Sequence, residues 1–304
     1  MLKKWYLSFL AMLFVGLSSI GFAGSYSDPW HNLKTNLLPA GYMGVTYGNG
    51  LYVLVGNAGV VHYTEDLVTW SAATSGTTHM LRSVVYGDDS NYVAVGQVGT
   101  VLTSADAVTW MPRDSGVLTS LNSVAYGNAK YVAVGDAGVV LTSSDGTVWA
   151  AQASGTGNAL HDVTYGNNQF VAVGNLGTVL TSPDGVTWMT QTSNSHTALN
   201  GVAYGNGYFV AVGNSGVVLA SPDSVLWTRQ GVATSTNRLT DVVYGDGIFM
   251  AVGEEGTLLG SYDAFTWQAL PPEVPFALNS ITFGNSSYVA VGDGGSVLTH
   301  HLNS

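Results

Sequence analysis

A chain of 304 residues that is 46% apolar and only 9% charged can bury a large core, and its 39 glycines suit many short strands and tight turns better than long charged helices. Eight Lys and Arg against 19 Asp and Glu leave a net charge of −11, which argues against nucleic acid as a partner, because that binding needs cationic side chains to displace counterions. The absence of cysteine excludes disulfides and a lipid carried on an N-terminal thiol, so stability rests on burial.

The first 23 residues read as a secretory signal peptide. Lys3 and Lys4 precede a mostly apolar run from Trp5 to Val15, and Gly21-Phe22-Ala23 offers small residues at the positions a signal peptidase reads. An uncleaved membrane anchor is the alternative, but Ser8, Gly16, Ser18 and Ser19 interrupt the run. Cleavage after Ala23 leaves residues 24–304 as one domain with six basic residues against 19 acidic ones, a net charge of −13. The expectation is export, to the periplasm or beyond the cell, of a monomer with no membrane span after cleavage.

From Tyr42 onward the chain repeats. An aromatic-Gly pair begins at Tyr47, Tyr86, Tyr126, Tyr165, Tyr204, Tyr244 and Phe283, at intervals of 39 or 40 residues, and each is followed by a "VxVG"-like segment. The third unit shows the pattern. "LNSVAY" (121–126) and "KYVAVG" (130–135) flank a "GNA" turn, "VVLTS" (139–143) follows "DAG", and "VWAAQA" (148–153) follows "SDGT". Four short strands per 40-residue unit, bounded by turn formers, predict a seven-bladed all-β propeller with four antiparallel strands per blade.

The seventh unit ends at "SVLTHHLNS" without a fourth strand. "SYSDPWHNL" (25–33) supplies one at the other end, because Trp30 precedes Tyr47 by 17 residues, the interval seen elsewhere in the repeat. The N-terminal strand is therefore expected to close the ring and cover its open edges. His300-His301 falls at the frayed chain end or beside that seam.

Between third and fourth strands an acid stands four residues before a Trp: Asp66 and Trp70, Asp106 and Trp110, Asp145 and Trp149, Asp184 and Trp188, Asp223 and Trp227, Asp263 and Trp267. A carboxylate accepting nearby backbone N–H groups makes a turn, Gly146 and Gly185 suit a positive φ, and the Trp can start the outer strand and pack between blades. Six equivalent acids spread around a ring cannot converge on one substrate, so the element reads as structural rather than catalytic.

"SPDGVTW" (182–188) and its copies resemble the Asp-box of sialidase-like propellers, with Ala, Ser or Leu often in place of its glycine. The longer unit "YGNGYFVAVGNSGVVLASPDSVLW" is similar to that of seven-bladed photosystem II assembly and stability factors. The resemblance runs from Trp30 to the end and implies a propeller fold and a protein-binding role.

In such a ring, the turns between second and third strands share one face with the links between blades. The turns carry Asn57, Gln97, Asp136, Asn175, Asn214, Glu254 and Asp293. The position four residues before each aromatic-Gly holds Met43, Arg82, Asn122, His161, Asn200, Thr240 and Asn279. The candidate partner-binding residues are Asn57, Arg82, Gln97, Asp136, His161, Asn175, Asn214, Glu254 and Asp293. The competing reading makes them turn residues facing water. Glu254, Glu255 and Asp293, in adjacent blades, could hold a cation or act as a glycosidase pair, with a solvated acidic turn as the simpler account. Asp162 beside His161 suggests an oriented imidazole. Arg82 and Arg238 lie near the starts of the second and sixth units and do not cluster as a sialidase would require. Tyr42 is the one aromatic placed to stack on a sugar.

The reading that follows is an exported, non-catalytic binding or scaffold propeller presenting one face to a protein. It carries no catalytic, metal-binding or cofactor-binding residue and no cofactor. The alternative is a glycan-binding or glycan-hydrolysing propeller.

Overall fold

Each repeat folds as one four-stranded antiparallel sheet, and seven sheets stand around a common axis. The computed structural model describes residues 30–33, 41–231 and 236–302; the expected signal peptide lies outside them. Blades 1 to 7 are numbered by innermost strands that begin at Tyr42, Leu81, Leu121, Leu160, Leu199, Leu239 and Leu278. Blade 3 comprises Leu121–Gly127, Lys130–Gly135, Val140–Ser143 and Ala150–Gln152. The fourth strand therefore starts one residue after Trp149, which belongs to the preceding turn. Among the described residues no helix is long and apolar enough to cross a membrane.

The ring closes as the repeat count requires. His31–Asn32 is the outer strand of blade 7, with His31 opposite Thr299 and Asn32 opposite Leu298. His300 is not frayed. It is buried at the seam, stacked on Trp30 with ring centroids 5.5 Å apart.

Burial follows position in the blade. The second strand, such as Tyr131–Gly135 in blade 3, is buried throughout because neighbouring blades cover both its faces, so it reads as an unbroken apolar run. The outer strand faces water. The core is divided into seven clusters, each between two blades and each holding one Trp. Trp267 of blade 6, for example, packs on Val210 and Val212 of blade 5 and on Phe249, whose ring centroid is 6.4 Å away. Trp30 fills the same place between blades 6 and 7.

The aromatic-Gly pair has a steric origin that spacing alone does not show. In six of the seven pairs the aromatic ring of one blade lies directly on the glycine of the blade before it; the exception is Gly87, which meets the hydroxyl end of Tyr131 instead. A Cβ on Gly127 would lie 2.1 Å from Tyr165, and one on Gly205 would lie 2.0 Å from Tyr244. Gly284 meets Tyr47 across the closure in the same way, at 2.2 Å. The glycine is the space the next ring occupies.

The six acidic turns are built alike. Asp66 Oδ1 accepts the N–H groups of Val68 (2.9 Å) and Thr69 (2.7 Å) and the Thr64 hydroxyl (2.9 Å). These bonds, led by the Thr69 N–H, hold its carboxyl down at about 2. In five of the six the Trp indole N–H caps the same turn, as Trp188 Nε1 does on the Gly185 carbonyl at 2.9 Å, whereas Trp70 Nε1 is buried without a partner. Gly146 and Gly185 have the expected positive φ, but so do Leu67, Ala107, Ser224 and Ala264, which hold that place in the other four turns. Those four side chains are buried, and their turns carry buried Trp residues, whereas Trp149 and Trp188, next to glycine, are only half-buried.

Candidate functional site

Antiparallel order puts the acidic turns at one end of the wheel. The turns between second and third strands, and the links between blades, lie at the other. At this second end the chain surrounds an axial cavity of about 390 Å³.

Every innermost strand enters the ring through a β-bulge. In blade 3, Leu121 pairs with Gly135 and Ser123 with Val134, leaving Asn122 as the extra residue. The same shift occurs in all seven blades and singles out Met43, Arg82, Asn122, His161, Asn200, Thr240 and Asn279. A bulge re-aims its extra side chain, and here it brings all seven to the cavity wall.

This rim laces neighbouring blades together. Asn122 Nδ2 donates to Asp136 Oδ1 (2.9 Å) and to the Leu160 carbonyl of the next blade (2.8 Å). Asn200 bonds Asn214 and Leu239 O, and Asn279 bonds Asp293 and Tyr42 O. The Thr240 hydroxyl reaches Leu278 O at 2.6 Å, and His161 Nδ1 lies 3.1 Å from Leu199 O, which makes it a donor there. Met43 has no donor to offer, and no such bond forms at Arg82, whose Nε is buried without a hydrogen-bond partner.

One residue deeper comes a second layer: Gly44, Ser83, Ser123, Asp162, Gly201, Asp241 and Ser280. Asp162 accepts bonds from the Ser123 hydroxyl (2.6 Å) and the Val202 N–H (2.7 Å). Asp241 accepts them from Val242 N–H (2.7 Å), the Ser280 hydroxyl (2.9 Å) and Ile281 N–H (2.9 Å). Burial pushes both carboxyls above the ordinary range, and the charge of Asp162 raises Asp241 further. Burial also lowers His161, which favours the neutral imidazole. The next residues along these strands, Val45, Val84, Val124, Val163, Val202, Val242 and Ile281, are buried in the apolar clusters between blades, and of these Val45 and Val84 also reach the cavity wall.

Of the nine candidate face residues, Arg82, Asp136 and His161 line the cavity. Asn214 and Asp293 stand behind the rim and hold its asparagines. Gln97 Oε1 accepts the Met80 N–H at 3.4 Å. Asn57 and Asn175 open their turns at the same end without lining the cavity. Glu254 lies 4.0 Å from Arg238, each about half exposed.

Three sequence expectations change. Tyr42 is no sugar platform: it is fully buried, with its hydroxyl 2.9 Å from His62 Nδ1. Asp162 does not orient His161, since its bonds go to Ser123 and Val202. Arg82 and Arg238, remote in sequence, share one cavity, because closing the ring brings blades 2 and 6 to the same axis. Asp241 is the residue sequence reasoning missed. Its signal was present: it and Asp162 are two acids in a repeat column otherwise made of Ser and Gly. Glu254, Glu255 and Asp293 do not gather, and among the described residues no three His, Asp or Glu side chains converge as a cation site.

No family profile and no curated protein matches the chain. Solved structures do. YCF48 from Cyanidioschyzon merolae superposes with a TM-score of 0.71 at 17% identity, over 90% of this chain and 98% of that one. A second YCF48 structure, bound to a D1 peptide, gives 0.74 at 19% identity, over 92% and 97%. Virginiamycin B lyase from Staphylococcus aureus, in a catalytically inactive form with quinupristin, gives 0.81 at 10% identity, over 90% and 99%. At such identities the likeness carries the fold alone.

Proposed function

We propose that this propeller is an exported, non-catalytic binding protein that holds a protein partner on the face surrounding the axial cavity. The observation that carries the reading is the composition of that face. A charged cavity sits among turns and links that hold Leu118 (84% exposed) and Leu176 (69%) out to water, with Val98 and Phe276 half exposed. Apolar groups around a polar socket are what a protein interface buries. A propeller of similar fold, YCF48, has been captured with a peptide, and the repeat resembles that of photosystem assembly factors. Export rests on the leader-like residues 1–23.

A photo-cross-linking amino acid placed at Leu176 tests the face, with one at Val148, on the acidic-turn end, as the comparison. Adducts that form in the exported fraction at Leu176 and not at Val148 support the reading; the reverse pattern refutes it. The glycan alternative keeps one supporting feature, the Asp162 and Asp241 carboxyls within one cavity. Turnover of a fluorogenic glycoside panel, lost in Asp162→Asn, would favour it.

A further inference from the structure

Asp162 and Asp241 bring charge to a layer that does not need it for folding. The task there is to accept a backbone N–H from the next blade. Ser83 does this for Val124 at 3.3 Å and Ser123 does it for Val163 at 3.4 Å, without charge. Holding a carboxylate largely out of water with no counter-ion is unfavourable. Yet among the described residues the one ion pair is Arg238–Glu254, which includes neither acid. The two acids flank blade 5, where the equivalent residue is Gly201, so no side chain stands between them in the layer. A carboxylate has about four lone-pair sites. Asp162 and Asp241 each use three, so acceptor capacity remains in a wall of the cavity.

Farther round the ring is the opposite deficiency. Arg82 Nε is a buried donor without a partner, at one of two rim positions where the lacing is broken. The cavity therefore has spare acceptors on one side and the guanidinium-bearing Arg82 in its wall on another. The cavity lies at the end of the wheel that carries the links and the turns between second and third strands, where a chain end can reach it. The acidic chain as a whole favours the approach of a cation.

We infer that the socket takes the free amino terminus of a partner polypeptide, with the ammonium against Asp162 and Asp241 and the first carbonyl group on Arg82. A chain's amino end carries a cation and an acceptor one residue apart, which a lysine side chain does not. The inference rests on the proposal that this face holds a protein partner. Asp136, Arg238 with its partner Glu254, and the neutral His161 are the other ionisable groups at the socket, and none supplies the acids with a paired cation.

Calorimetric titration of the purified chain with three probes tests this: tetra-alanine amide, its N-acetyl form, and an N-acetyl peptide with one internal lysine. The free-amine peptide should bind at pH 7.5, and acetylation should weaken it at least tenfold, with or without the lysine. Asp241→Ser should weaken it about tenfold. That variant keeps the lacing, because serine is the native residue at the equivalent position of three other blades. Affinity should also fall about tenfold towards pH 5.5, as protons take the place of the ammonium. Equal affinity for the acetylated peptides, or no binding of the free-amine peptide at millimolar concentration, would overturn the inference. The cross-linking experiment reads the face independently: adducts at Leu176 alongside acetyl-insensitive peptides remove the socket's role and leave the face standing.

Discussion

Gly205→Ala adds one methyl group where the structure has room for none. The new Cβ would lie 2.0 Å from Tyr244 Cγ and 2.3 Å from Cδ1, against an ordinary contact near 3.5–4 Å. The ring must retreat by about 1.5 Å, but it is pinned against Phe249, with centroids 4.7 Å apart. Gly205 is not among the glycines at positive φ, so the effect is steric rather than conformational. Overpacking of this kind costs about 2–3 kcal/mol, or about 4–6 °C in a domain of this size. Thermal unfolding followed by near-ultraviolet circular dichroism reads it directly. Gly157→Ala is the control, because a Cβ there would meet nothing within 4 Å and the φ is ordinary; it should shift the midpoint by less than about 1 °C. Tyr244→Leu in the Gly205→Ala background should recover part of the loss, as a double-mutant cycle with favourable coupling. If Gly205→Ala melted with the parent, the account of the aromatic-Gly repeat as ring-on-glycine packing would be wrong.

Trp267→Ala should cost about 3–5 kcal/mol and Trp188→Ala less, about 2–3 kcal/mol, because Trp267 is buried and Trp188 is half-exposed beside Gly185; urea unfolding that ranked them the other way would refute the burial argument. Deleting residues 24–36, and with them the strand that pairs with Val297–His301, should open the ring and expose it to limited proteolysis, whereas a truncated chain as resistant as its parent would show that closure contributes little. Stability should depend on pH in two opposed ways. The Asp66 carboxyl lies below its unfolded value, so its contribution is present above about pH 4 and is lost as pH falls towards 2. Asp162 and Asp241 lie above theirs, so the folded chain binds more protons than the unfolded one, and their contribution is lost as pH rises from about 4 towards neutrality. A stability maximum near pH 4–5 is expected, and Asp241→Ser should flatten the falling limb; an unchanged limb would remove the pair from the account.

The wheel is legible in the order of the amino acids. Seven aromatic-Gly pairs at intervals of 39 or 40 residues, a Trp for each blade and a fourth strand displaced to residues 31–32 are local, periodic signals, and each blade is one short supersecondary unit. The axis is not, because its lining depends on how the folded blades meet. Strand alternation is a period-two rule, and the bulge at the start of each inner strand breaks it, so that two successive residues, His161 and Asp162 or Thr240 and Asp241, both reach the cavity while Tyr42, just before Met43, turns inward and is buried. Arg82 and Arg238 meet for a similar reason: they are half a chain apart, and only the closing of the ring gives them a common centre.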